Sequence, residues 1–311
     1  MGGAGMTTVR IGTRKSKLAM VQARLVAEGI ERHHPEVRCE VVGYTTAGDV
    51  ILDRPLEEVG GKGLFVQELD RALIEGCIDL AVHSYKDLPA ELSPGVEVVA
   101  CSPREDPRDA IVLPAGADLL PEGADDAFLA ERLLATGLPV GCSSARRRVQ
   151  LGELLGPEVR VESVRGSVPT RLAKLDEGGY CALILAVAGL RRLGLEGRAS
   201  RVLGPDEMVP AAGQGAMAVC GRAGEERPEL VGYDDPATHL CVRAERAFTR
   251  ALGATCASPV GAYARMTGDG ALRLSVFCGG RDEVVCAPED AEAEAARLGR
   301  EVRDRAKLPC D

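Results

Sequence analysis

One cysteine stands in an unusual setting. The run Gly253-Ala254-Thr255-Cys256-Ala257-Ser258-Pro259-Val260-Gly261 surrounds it with small and turn-forming residues. Such a run does not continue a helix, so the sulfur is expected on a loop. There a thiolate is accessible and can act as a nucleophile. By itself the signal is weak, because a lone cysteine is more often a small hydrophobe. A second group lies in Ala81-Val82-His83-Ser84-Tyr85-Lys86-Asp87-Leu88-Pro89, where Ser84, Lys86 and Asp87 close a predicted strand. A carboxylate in a cationic setting can stabilise a developing positive charge or move a proton. The competing role for Asp87 is a helix cap or a salt bridge to Lys86. His83 has no second histidine at ligand spacing, so no metal site is indicated.

The cations recur at comparable places. Gly12-Thr13-Arg14-Lys15-Ser16 lies between a strand and its helix, where open α/β sheets bind ligands. Arg14 and Ser16 could hold an anion there, or be a solvated charge and a cap. Val59-Gly60-Gly61-Lys62-Gly63-Leu64-Phe65 is glycine-rich but lacks the spacing of a nucleotide phosphate loop. It either brings Lys62 over a ligand or serves as a surface connector. In Gly141-Cys142-Ser143-Ser144-Ala145-Arg146-Arg147-Arg148, two hydroxyls and a helix N-terminus make an anion pocket, with Arg146 and Arg147 as forked donors. Cations in a first helical turn oppose the helix dipole, a local rule broken as functional sites break them. Val164-Arg165-Gly166-Ser167-Val168-Pro169-Thr170-Arg171 and Ala188-Gly189-Leu190-Arg191-Arg192 repeat the device. Between Gly141 and Arg192 nine Lys/Arg face five Asp/Glu, although the whole chain carries a net charge of -9. The simplest common purpose is a cleft that binds several carboxylates at once, with a focused cationic field.

The elements that must position these residues alternate. Val9–Gly12, Arg38–Tyr44, Asp79–His83 and Val96–Cys101 read as strands. Helices are predicted over Lys17–Glu31, through Leu18, Val21, Leu25 and Ile30, and over Phe65–Glu75, through Phe65, Leu69, Leu73 and Ile74. A proline-bearing break at 103–108 opens a second alternating unit. Its strands are Ala110–Leu113, Leu138–Gly141, Val159–Ser163 and Ala182–Val187, and its helices Asp126–Leu134, Ala145–Leu155 and Pro169–Asp176. A second break at 209–215, containing Gln214, precedes a strand, Met217–Cys220, that could return to the first sheet. The expected class is α/β: two lobes with mostly parallel sheets joined by two hinge crossings, plus a small α+β domain. The expected boundaries are 7–102 with 216–235 for the first lobe, 103–215 for the second, and 236–311 for the C-terminal domain that carries the cysteine loop.

Composition narrows the function classes. The chain has 311 residues with 45% hydrophobic and 27% charged residues, as a soluble globular protein would. Aromatics make up 3%, tryptophan is absent and the net charge is negative, which argues against nucleic acid as a main partner. Eleven scattered cysteines without a C-x-x-C pair suggest reduced thiols and a cytoplasmic location. No signal-peptide pattern and no run of membrane-spanning length is seen.

With these residues in place, the chain closely resembles the hydroxymethylbilane synthase, or porphobilinogen deaminase, family. The resemblance runs from about Val9 to the C-terminal helix. It rests on G-T-R-x-S, G-G-K-G-L-F, H-S-x-K-D-x-P, S-S-x-R-R, R-G-x-x-x-T-R-L, A-G-L-x-R-L and a loop cysteine followed by P-V-G, in that order. It implies two type II periplasmic-binding-protein-like lobes and a dipyrromethane cofactor joined to Cys256 by a thioether. Asp87 is implied as the catalytic carboxylate. Cofactor contacts are implied for Lys62, Ser84, Lys86, Asp87, Ser144, Arg146, Arg147 and Arg165. Substrate contacts are implied for Arg14, Ser16, Arg165, Arg171, Arg192 and Gln214. The implied reaction joins four porphobilinogen molecules with loss of ammonia and releases the linear tetrapyrrole hydroxymethylbilane. A separate uroporphyrinogen-III synthase would close the ring, and the family suggests a monomer. Tyr85, Ser167 and Pro169 depart from the usual family residues without removing a charged role. The competing expectation is a non-catalytic two-lobed anion-binding protein, which would need neither Asp87 nor Cys256. A phosphate-handling transferase lacks an intact phosphate loop.

Overall fold

The protein is described from a computed structural model that covers residues 6–46, 66–118, 120, 121, 123, 125–255 and 258–306. The first segment runs β1 (Thr7–Arg14), α1 (Lys17–His33), β2 (Val37–Tyr44), α2 (Gln67–Ile74), β3 (Leu80–Ser84) and β4 (Val96–Cys101). Then come β5 (Asp109–Val112), α3 (Asp126–Leu134), β6 (Val140–Gly141), α4 (Ala145–Leu155), β7 (Val161–Glu162) and α5 (Val168–Asp176). They are followed by β8 (Ala182–Ala186), α6 (Val187–Arg192), β9 (Arg201–Leu203) and β10 (Met217–Arg222). The chain continues through α7 (Pro236–Leu252), β11 (Gly261–Met266), β12 (Leu272–Phe277), β13 (Arg281–Cys286) and α8 (Ala291–Ala306). Two compact units result, Met1–Glu105 with Ala216–Arg243, and Asp106–Gly215 with Ala244–Asp311.

The first unit holds a sheet ordered β2-β1-β3-β10-β4. β1, β2 and β3 are parallel, and β10 is antiparallel to both β3 and β4. The strand after the second break thus does return to the first sheet. Alternate residues feed two layers. Leu80, Val82, Met217 and Val219 join α1 on one face, and Ala81, Ala218 and Cys220 join α2 on the other. Burial on both faces explains why these strands read as nearly continuous apolar runs. The α1 face differs from the expected one. Gln22, Ala23, Val26, Ala27 and Ile30 point inward, whereas Leu25 is 41% exposed. Of the predicted stripe Ile30 is buried as expected and Leu18 and Val21 are half-buried, so the buried face is turned round the helix toward Gln22, Ala23, Val26 and Ala27. In α2, Leu69 and Leu73 are buried as expected while Ile74 is exposed.

The second unit repeats the topology in β7-β6-β8-β5-β9. β6 is parallel to β7 and β8, while β5 is antiparallel to β8 and β9. In both sheets the order is second, first, third, inserted, fourth, and the inserted strand is the one that directly follows a chain break. This is the type II periplasmic-binding-protein arrangement. Two elements escaped the pattern reading. β9 has three residues, too few to show a period, and α6 follows β8 with no capping side chain to mark its start. The same unit carries an antiparallel sheet, β11-β12-β13, with α8 and the second half of α7.

Candidate active site

Parallel neighbours β1 and β3 bring their carboxyl ends side by side, so residues far apart in sequence meet there. Arg14 ends β1 and Ser16 caps α1, accepting from the Ala19 N–H at 3.3 Å. The buried Thr13 hydroxyl lies 3.3 Å from both the Ala19 and Val82 carbonyls, which ties the start of α1 to β3. After Ser84 the chain makes a 3-10 turn, Tyr85–Asp87, with the Tyr85 N–H bonded to the Ala216 carbonyl at 3.1 Å. Tyr85 is a core residue beneath this turn, and Asp87 above it is exposed. Arg14, Ser16, Gln22, His83, Ser84 and Asp87 line one pocket. His83 is buried with its Nε2 atom unpaired, and burial, with Arg14 adding to it, pushes the imidazole down to about 4. It is therefore a neutral group at neutral pH.

Gln22 was missed in the sequence. It is 2% exposed and its side-chain amide bonds the Ser84 hydroxyl at 2.9 Å, which fixes that hydroxyl in the pocket. A polar residue one turn before Val26 and two before Ile30, on the same helix face, was the available signal.

In the second unit, β7, β6 and β8 present their carboxyl ends together. Both serines after β6 are engaged. Ser143 donates to the Val164 carbonyl at 2.6 Å and joins the loops after β6 and β7, and Ser144 caps α4. Ser167 caps α5, and Pro169 sits in that helix's first turn, where a missing N–H costs nothing. Arg165 is half-buried on the loop after β7. Arg171 Nε donates to the Gly166 carbonyl at 2.8 Å, and Arg192 donates to the Gly215 carbonyl at 2.6 Å. Arg191 and Arg192 occupy the last turn of α6, where cations are favoured by the dipole.

Arg146 and Arg147 point inward. Arg146 Nη2 lies 2.7 Å from Asp109 Oδ2, and Arg147 Nη2 lies 2.6 Å from Asp109 Oδ1. Their remaining donors reach the Val209 carbonyl at 2.6 Å and the Ile184 carbonyl at 3.1 Å. Burial pushes the Arg146 guanidinium below its ordinary value, and Asp109 opposes that shift. Gln214 joins the cluster, donating to Asp109 Oδ1 at 2.9 Å and the Pro107 carbonyl at 2.6 Å. Asp109 itself was not singled out from the sequence. The signal was present: an acidic residue that opens the apolar strand Ala110-Ile111-Val112 needs buried cationic partners.

Lys62 and Cys256 lie outside the described residues, as does the glycine-rich run from Val59 to Phe65. The residues flanking the cysteine are described. Thr255 N–H donates to Ser258 Oγ at 2.9 Å, and Ser258 N–H donates to the Thr255 carbonyl at 3.0 Å.

Residues 9–229 match the family described as porphobilinogen deaminase, dipyromethane cofactor binding domain, and residues 239–307 match the porphobilinogen deaminase C-terminal domain. Curated porphobilinogen deaminases align over most of the chain. The Acetivibrio thermocellus protein is 44% identical over 261 residues, 84% of each chain. That of Roseiflexus sp. is 46% identical over 277 residues, covering 88% of this chain and 87% of the relative. That of Ralstonia nicotianae is 43% identical over 312 residues, covering 96% and 89%. This chain belongs to the porphobilinogen deaminase family. It is a transferase that condenses porphobilinogen, with loss of ammonia, into hydroxymethylbilane, and it is built around a dipyrromethane cofactor. Family membership decides against the non-catalytic reading. The pocket of the first unit suits a pyrrole that bears carboxylates: the Arg14 guanidinium can pair with a carboxylate, and the exposed Asp87 can accept from a pyrrole N–H. Among the described residues no helix is long and apolar enough to cross a membrane.

Proposed function

We propose that Asp87 is the catalytic carboxylate of this transferase and that Cys256 carries the dipyrromethane. The observation that supports this most is the pocket at the ends of β1 and β3, where Asp87 stands exposed beside Arg14, Ser16 and Ser84. Porphobilinogen bears acetate and propionate groups on an aminomethyl pyrrole. Arg14, with the Ser16 hydroxyl, would hold its carboxylates and orient the ring. Loss of ammonia leaves a cationic azafulvene, and the Asp87 anion lowers the cost of that charge. The same carboxylate accepts the pyrrole N–H and can take and return the proton displaced on coupling. Bound dipyrromethane supplies the nucleophilic pyrrole carbon that primes the reaction. Lys62, Ser84, Lys86, Ser144, Arg146, Arg147 and Arg165 serve its polar groups in this reading, and Arg165, Arg171, Arg192 and Gln214 those of the incoming substrate. Forked guanidinium donors match carboxylates two bonds at a time, which explains the choice of arginine over lysine.

The same reading divides the chain into 7–102 with 216–235, 103–215, and 236–311. The gap between the two family matches, 230–238, supports the last boundary. It also takes the protein as a cytoplasmic monomer whose product passes to a uroporphyrinogen-III synthase. Intact mass of the purified chain tests the central assignment. An adduct with the mass of dipyrromethane, located on the peptide containing Cys256, is expected. An unmodified chain that still forms product would sink it.

A further inference from the structure

We propose that Asp109 is the positioning residue for the carboxylate-binding arginines of this reaction. Asp109 is wholly buried at the start of β5, and both of its oxygens are used. Oδ2 accepts from Arg146 at 2.7 Å, while Oδ1 accepts from Arg147 Nε at 3.1 Å, Arg147 Nη2 at 2.6 Å and Gln214 Nε2 at 2.9 Å. Three residues assigned above to ligand carboxylates thus share one anchor. The charge balance fits this role. Two adjacent guanidiniums in the first turn of a helix oppose the dipole and repel each other, most strongly where water is excluded. The Asp109 carboxylate, bonded to both guanidiniums, makes the pair tolerable. Stability alone does not explain the arrangement, because apolar side chains of similar volume serve a buried position as well or better than ion pairs. Arg146 Nε is also buried without a partner, so the cluster is not closed upon itself.

The inference rests on the proposed roles of Arg146 and Arg147, and its test separates the two. Asp109→Asn is made in the full-length chain, and three quantities are read: thermal midpoint, the fraction carrying cofactor by intact mass, and the KM and kcat of the loaded fraction. The expected result is a folded chain with a clearly reduced cofactor-bearing fraction. Its KM for porphobilinogen is raised on the order of tenfold, the effect of one lost charge-assisted bond, with a smaller change in kcat. A lowered midpoint with wild-type loading and KM would reduce Asp109 to a structural ion pair and overturn the proposal. If Asp109→Asn does not fold, Asp109→Glu decides. It keeps the charge but moves it by one methylene, so a raised KM is expected and a wild-type KM with full loading overturns the proposal. Arg147→Leu is the control. Normal loading and KM in that variant remove the arginine role itself. Impairment there alongside a normal Asp109→Asn removes only the role of Asp109.

Discussion

Asp87 and His83 lie four residues apart and have opposite surroundings. His83 is buried in the strand, and Asp87 is exposed at the turn that follows it. The exposed group can be changed without a folding penalty, which makes the role proposed for Asp87 testable by substitution. Asp87→Ala should therefore keep the wild-type thermal midpoint, as surface substitutions do, while kcat drops by roughly a hundredfold or more. Near-normal turnover by that variant would take Asp87 out of the chemistry. The identities of the charged residues were legible in the sequence, and so was their place after strands. Their partners were not. Nothing local in Ser144-Ala145-Arg146-Arg147 tells that the guanidiniums turn toward Asp109, which lies 37 and 38 positions away.

Elements position these residues through close backbone approach. The glycine of the P-V-G run, Gly261, opens β11, and a Cβ placed there would lie 2.8 Å from the Val209 carbonyl oxygen and 2.9 Å from Val209 Cβ. Val209 is itself fixed, accepting from Arg146 and bonded through its N–H to Gln150 Oε1 at 2.7 Å. The backbone cannot yield without breaking those bonds. Gly261→Ala should cost about 1–3 kcal/mol, the usual range for forced overpacking, and denaturant unfolding would measure it. An unchanged midpoint would mean that this approach is slack. The sequence showed the motif, and the contact with residues of the second break explains why it has to be glycine. Element boundaries were legible where caps and period coincide, as in Asp126–Leu134 and Ala145–Leu155, both found as expected. The burial face of α1 was not, because the choice between Leu25 and Gln22 is made by the sheet beneath the helix.

At the scale of the whole molecule, stability should register the buried imidazole. His83 in the fold titrates at about 4, below the ordinary value of 6.5, so the unfolded chain binds the proton more readily. Stability from this group is complete above 6.5 and falls as pH drops toward 4, by on the order of 3 kcal/mol over that window. Urea unfolding between neutral pH and pH 4 should show this decline, and His83→Gln should flatten it. An equal slope in both proteins would mean that His83 is not held neutral by the fold. The α/β class and the two breaks followed from alternation and proline punctuation alone, whereas the return of Met217–Cys220 to the first sheet was decided only by its pairing with β3 and β4. Those signals are local, since each strand and helix carries its own period. The family, and with it the reaction, was likewise readable from ordered motifs. Tertiary structure alone decided that both sheets share one strand order, that Gln22 fixes Ser84, and that Arg146, Arg147 and Gln214 converge on Asp109. Such pairings are set by strand register and by which charges lose their water together, and neither quantity belongs to any single stretch of chain.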